Sequence, residues 1–454
     1  MASTAFSRFN SLSLLGLGVV LVVTAALFLR WLRVDAIGLA IVALIAWWLL
    51  SGALAGSLPD RRNVALFLSS EGRTLFAYLP LLVFVVVRTD RVEAGVAVAL
   101  ARLAAALGVL LTAVWAVARP ALLSPKGGGR LFFGLTSSHH VAGFLGGMSA
   151  IVLLCAWLER RRPVDLALAA GALAIVVASG SRTTMLGLVV VLAWSAWDSG
   201  RADTRIKLLG VLVGGGVLVY ALVPRVSGTL DRVTDPKFVT EISSSANATS
   251  ASATATASPT REDAATANVL KRFGVWSVAF GDFAASPFIG VGTWRLNDLN
   301  THRSGISGLV VLERGGQRVH SDFQAHNVIL QLLSENGLLG LGLFLFLWRR
   351  IWRRLRNVPI PPGRGDVSAL ARAGPALVVF AVGASLTSNA IMVPGFAASL
   401  AVFIGPLIAY LPGDPEAVAD AQLPPAGSHR SARSAPADTD EGAASARRPR
   451  RARR

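Results

Sequence analysis

Apolar runs of bilayer-crossing length recur through the 454 residues, and no other feature constrains this chain as much. In hydrocarbon every backbone N–H and C=O has to find its partner inside the protein, and a helix does this within its own segment. The runs predict spans at 11–29, 36–55, 75–87, 103–118, 141–158, 164–178, 183–197, 208–223, 328–348, 376–393 and 396–411. Several fall short of the ~20 residues a full crossing prefers, so the expectation is an all-α integral membrane protein with about 11 or 12 transmembrane helices. The first run lacks a small-x-small cleavage pattern and is followed by Arg30 and Arg33, which reads as a retained span rather than a removed signal peptide. Trp115, Trp157, Trp197 and Trp348 stand at run ends, where aromatic belts form.

Charge then sets orientation. Arg88 and Arg91, Arg160 to Arg162, Arg201 with Arg205 and Lys207, and Arg349 to Arg356 all fall on one side if the spans alternate, and that side is expected to be cytoplasmic. Arg61 and Arg62 break the pattern. Arg102, just before the 103–118 core, is expected to snorkel to a head group. The net charge of +18 therefore reads as topology and attraction to anionic lipid, and nucleic acid is set aside as a partner. One cysteine, Cys155, forms no intramolecular disulfide and no metal pair. No metal or other cofactor is expected.

Alternation divides the chain into N-terminal helices at 1–223, a large extracytoplasmic loop at 224–325, C-terminal helices at 326–411 and a disordered basic cytoplasmic tail at 412–454. Within the loop, 243–260 is a Ser/Ala/Thr tract that cannot bury enough apolar surface to order itself. In 264–292, by contrast, Val269, Leu270, Phe273, Trp276 and Phe280 recur at helical spacing, predicting an amphipathic, lid-like helix to about Phe283. Ser286-Pro287 ends it and Gly290-Val291-Gly292 turns. No repeated halves of the kind secondary transporters carry are present. The localisation expected is the inner or plasma membrane, multi-pass, with the active face extracytoplasmic.

Costly polar groups mark the candidate chemistry. Arg182, at the outer mouth of two closely joined spans, carries a charge that costs ~2.5–3.5 kcal/mol toward the membrane interior, and no anionic leaflet attracts it there. Arg272, beside Lys271 on the loop helix, reads by composition alone as a solvated face. His326 opens the span at 328–348; its spacing to Leu330, Leu333, Gly337 and Gly340 puts these residues near one helical face, where the glycines let a neighbouring helix come close. Asn327 follows it. Glu335, on another face, is either an intramembrane functional carboxylate or a packing or Arg-pairing group. His139 and His140 are adjacent, so they share no helix face; lining or structural roles suit them better than a metal. Asp438-Thr439-Asp440 resembles a metal motif only on paper. Two arginines and a histidine on one face fit a lipid diphosphate: guanidinium forks match phosphate oxygens, and a neutral imidazole accepts a proton from a sugar hydroxyl.

Three stretches resemble the O-antigen ligase and polymerase family. They are Gly180-Ser181-Arg182; Lys271 to Trp276 followed by Ser286 to Gly292; and His326-Asn327 followed by Leu332 to Gly337 and Gly340. The resemblance covers roughly 137–410, with Thr183 after Arg182, where many members have Gly, and the Ser/Ala/Thr tract as departures. It implies a GT-C-like helical membrane fold. The activity implied is transfer of a glycan from a polyprenyl (undecaprenyl) diphosphate carrier to an acceptor hydroxyl on a glycan, lipid or protein, with inversion and without a metal. Arg182 and Arg272 would bind the diphosphate and His326 would serve the acceptor. Ligase and polymerase stay open, and a transporter of lipid-linked glycans is the competing class.

Overall fold

The computed structural model describes residues 35–56, 77–86, 94–118, 139–198, 275–293, 296, 312–314, 317–319, 325–357, 365–392 and 394–410. The elements are α1 (Ala36–Leu54), α2 (Leu79–Val86), α3 (Ala94–Ala118), α4 (His139–Arg160), α5 (Pro163–Ser179), α6 (Arg182–Asp198), α7 (Val275–Ala285), β1 (Leu312–Arg314), β2 (Gln317–Val319), α8 (Val328–Arg356), α9 (Gly365–Ser385), a 3-10 turn at Ala390–Met392 and α10 (Pro394–Tyr410). Among the described residues, α1, α4 and α8 are long and apolar enough to cross a membrane, and shorter apolar helices accompany them. The chain is an all-α membrane protein, with one small hairpin among the described residues.

Apart from the runs at 11–29 and 208–223, which lie outside the described residues, every expected span falls on a helix. Three expectations need correction. The span at 376–393 is shifted: α9 begins at Gly365 and stops at Ser385, and Ser385 Oγ and Ser388 Oγ accept from Ile391 N and Ala390 N of the 3-10 turn that precedes α10. The large loop carries a hairpin as well as helix: Leu312 pairs with Val319 and Arg314 with Gln317, and Gly315-Gly316 separates the strands in sequence. Arg102 does not snorkel. It lies inside α3 and pairs with Asp165, 2.5 Å away at the start of α5, with side-chain exposures of 23% and 3%.

One core binds the helices. Leu44 and Trp48 of α1, Met148 of α4, Phe380 of α9 and Phe396 and Phe403 of α10 are buried. Phe144 meets Phe396 edge-on at 4.5 Å and Phe380 at 6.4 Å. Leu100, Leu103, Leu107, Leu110 and Val114 of α3 face outward, a face that suits hydrocarbon rather than water.

The arginine-bearing helix ends lie together. Arg354 of α8 reaches Asp35 at the N-cap of α1 (2.7 Å) and Ile408 O of α10 (3.1 Å); Arg356 meets Asp198 of α6 (2.9 Å); Arg372 of α9 meets Glu159 of α4 (2.9 Å). Alternating spans require this grouping of ends. The Arg102–Asp165 pair is the most buried of the four ion pairs described here, and removing one partner of such a pair costs about 3–5 kcal/mol. Asp165→Ala should therefore lower the thermal unfolding midpoint of the purified protein, whereas Arg102→Met with Asp165→Leu should restore most of it. An unchanged midpoint in Asp165→Ala would show that the pair does not hold α3 to α5.

Candidate functional site

The turn between α5 and α6 builds the first half of the site. Gly180 ends α5 in the left-handed region (φ 61°, ψ 21°), its N–H donating to Val177 O at 3.0 Å. Ser181, fully buried, caps α6: its Oγ accepts from Thr184 N (3.4 Å) and Thr184 Oγ1 (2.9 Å). Ser179 Oγ accepts from Ser181 N at 3.2 Å and donates to Val176 O at 2.7 Å. The turn sits tightly on α4 because position 143 is Gly: a Cβ there would lie 2.7 Å from Ser179 Oγ and 2.8 Å from Thr184 Oγ1. Arg182 is therefore the first residue of α6, exposed, on a fixed backbone. A cation at a helix N-terminus opposes the macrodipole, but the two together favour an anion. His140 Nδ1 lies 3.2 Å from Ser181 Oγ, which brings that histidine to the Arg182 turn. The side chain of His139 lies outside the described residues, as do Lys271 and Arg272.

The second half surrounds His326. The expectation that His326 shares a helical face with Gly337 and Gly340 is not met, because α8 begins only at Val328. Asn327 caps it, accepting from Ile329 N (2.9 Å) and Leu330 N (3.2 Å), and donates its amide to Leu386 O at the end of α9 (3.2 Å). His326 stands outside the helix, half-buried, with φ 50°. A non-glycine residue is uncommon there, with histidine among the better tolerated, and the conformation is held where the surroundings fix it. They do so here. Ala325 N donates to Gln331 Oε1 (3.0 Å), which also accepts from Asn389 Nδ2 (3.2 Å). Ala325 O accepts from Trp276 Nε1 of α7 at 2.6 Å. Val275, Ala279, Leu296 and Ala325 form a small separate core with Trp276, Val278 and Leu330 packed on it. Val275 and Ala279 are buried on α7, while Phe280 is 54% exposed.

Gly337 does not admit a neighbouring helix; it breaks α8. Its φ of 62° and ψ of −165° belong to a region only glycine adopts readily. The break opens the helical bonds 338→334 and 339→335, and 286–293 replaces them. Leu338 N donates to Pro287 O (2.8 Å) and Leu339 N to Phe288 O (3.2 Å), while Val291 N donates to Ser334 O (2.9 Å) and Gly292 N to Glu335 O (3.0 Å). Trp47 Nε1 and Ser51 Oγ of α1 reach Asn336 O (3.2 Å) and Glu335 O (3.1 Å), Thr293 Oγ1 reaches Asn336 Oδ1 (2.8 Å), and Ser334 Oγ reaches Asp282 Oδ2 (3.0 Å). Irregular backbone at membrane depth survives where the protein satisfies it in this way. Gly340 faces the Asn336 side chain and Trp47 Nε1. The backbone carbonyl of Glu335 belongs to this joint, and the residue is 2% exposed.

The structure thus joins His140 to the Arg182 turn and Asn327 to the His326 corner, while α6 and α9 pack on one another. Trp276, Gln331 and Asn389 do not stand out in the sequence as site residues. Trp276 shows there as an apolar residue at helical spacing and as the end of the Lys271 to Trp276 stretch, with no role assigned, although its N–H seeks a partner whenever the ring is buried.

The molecule is of the helical membrane class, with a basic turn and a strained histidine carried on packed helices. The family model described as O-antigen ligase matches residues 166–345, a segment that holds Arg182, Arg272 and His326, and supports assignment to the O-antigen ligase family. No curated protein matches the chain.

Proposed function

We propose that the protein transfers a glycan from a polyprenyl diphosphate carrier to an acceptor hydroxyl on the extracytoplasmic side of the cell membrane. The observation that carries this reading is His326, a histidine at positive φ whose two flanking residues are fixed by three helices, within the segment that matches the family. The acceptor oxygen attacks the anomeric carbon from the face opposite the diphosphate, and its proton passes to the His326 imidazole. The C–O bond to the diphosphate breaks with inversion, and the carrier leaves as polyprenyl diphosphate. Arg182 and Arg272 take up the charge that develops on the leaving oxygens, so this scheme uses no metal. Lys271 and His140 supplement that charge, and Asn327 holds the backbone of the base. Glu335 has a structural part in the helix joint, and His139 has no assigned role.

Purified protein with a polyprenyl diphosphate-linked glycan and candidate acceptors tests the reading. A single sized product denotes a ligase and a ladder denotes a polymerase, which the family match also covers; no covalent product from any acceptor would overturn the proposal. Arg182→Lys keeps the charge but lacks the fork, and kcat/KM for the donor should fall roughly tenfold or more. Wild-type kinetics in that variant would return Arg182 to a span-end role.

A further inference from the structure

We infer that Trp276 is a positioning residue for His326, so that the docking of loop helix α7 sets the placement of the base. The inference rests on the glycan-transfer reading and extends it. Its grounds are local. His326 is held at φ 50° by its neighbours: Asn327 is tied to α8 and to Leu386 O, and Ala325 is tied at both of its backbone polar groups. Of the two ties on Ala325, one comes from Gln331 within the same helix it precedes, so it forms whenever α8 and Asn389 are in place. The other is the indole N–H of Trp276, at 2.6 Å, from an element that follows Arg272 in the sequence and reaches the bundle through its own small core. A strained φ relaxes when one of its flanking ties is lost. Loss of the Trp276 tie thus moves the imidazole without touching Arg182, and a displacement of about 1 Å costs on the order of a hundredfold in rate. The rest of α7 stays anchored by Ser334 Oγ to Asp282 Oδ2 and by the bonds of 286–293 across the break in α8, so the helix does not depend on the indole N–H for its place.

The test removes only that N–H. Trp276→Phe keeps a ring in the core. Should it fold poorly, 3-benzothienylalanine at position 276 keeps the indole's shape with sulfur in place of the N–H. Binding of labelled polyprenyl diphosphate-linked glycan to the purified protein and kcat of transfer are measured together. The expected result is donor binding with wild-type stoichiometry and a Kd within about twofold, with kcat lower by on the order of tenfold to a hundredfold. Wild-type kcat, alongside an inactive His326→Ala, would overturn the positioning role and leave the catalytic reading standing. Donor binding lost in proportion to kcat would also overturn it, since a purely structural role does that. Full activity in His326→Ala would fail the catalytic reading itself, before Trp276 is considered.

Discussion

His326→Ala is expected to abolish glycan transfer while donor accumulates bound to a normally inserted protein. General-base catalysis contributes ~10²–10⁴-fold, and loss of the imidazole should cost at least that. A second variant separates chemistry from backbone. Position 326 sits at φ 50°, where alanine is strained but asparagine is better tolerated. His326→Asn should therefore unfold at the wild-type temperature and still be inactive. Activity in His326→Asn near the wild-type level would mean that the corner matters for its shape and that the proton leaves by another route.

The second large effect is structural. Gly337→Ala should prevent assembly of the joint between 286–293 and α8. A Cβ at 337 would collide with the backbone carbonyl of Phe288 and lie 2.6 Å from Ile289 N, and backbone atoms cannot swing away as a side-chain tip would. The glycine-only dihedrals add ~1–3 kcal/mol of strain for alanine. Displacing the loop also leaves Ser334 O and the N–H groups of Leu338 and Leu339 without the partners they have at the break, at about 1–3 kcal/mol for each group left unsatisfied, while Glu335 O keeps Ser51 Oγ. Size-exclusion profile and thermal midpoint report the outcome. Gly281→Ala is the control: it lies in α7 with open space around its Cβ position, and should be neutral or slightly stabilising. Equal midpoints for Gly337→Ala and Gly281→Ala would show that the break is not required for folding.

Much of the architecture was legible because hydrocarbon is an undemanding solvent to read. Apolar runs located the helices, and the arginine clusters predicted which ends would group, as the pairs Arg354–Asp35 and Arg356–Asp198 show. Arg102 was misread because a sequence shows a charge beside an apolar run but not the Asp165 that α5 brings to it. The seating of α7 was hidden for a related reason: helical spacing lists an apolar face, but not that Val275 and Ala279 are the residues that pack with Ala325.

For the site, residue types and their order in the chain nominated Arg182, Arg272 and His326, and the family match spans all three. Composition and local periodicity are properties of neighbouring residues, so they determine which segments enter the membrane and which side chains are costly there. What they do not contain is the partner across space. Only the tertiary structure showed that α8 breaks at Gly337, that 286–293 replaces the lost helical bonds, and that His326 stands off the helix on a corner fixed by Trp276, Gln331 and Asn327. Each of those contacts joins residues to elements packed from elsewhere in the chain or fixes a φ that local preference disfavours, so the packing of the helices had to decide them.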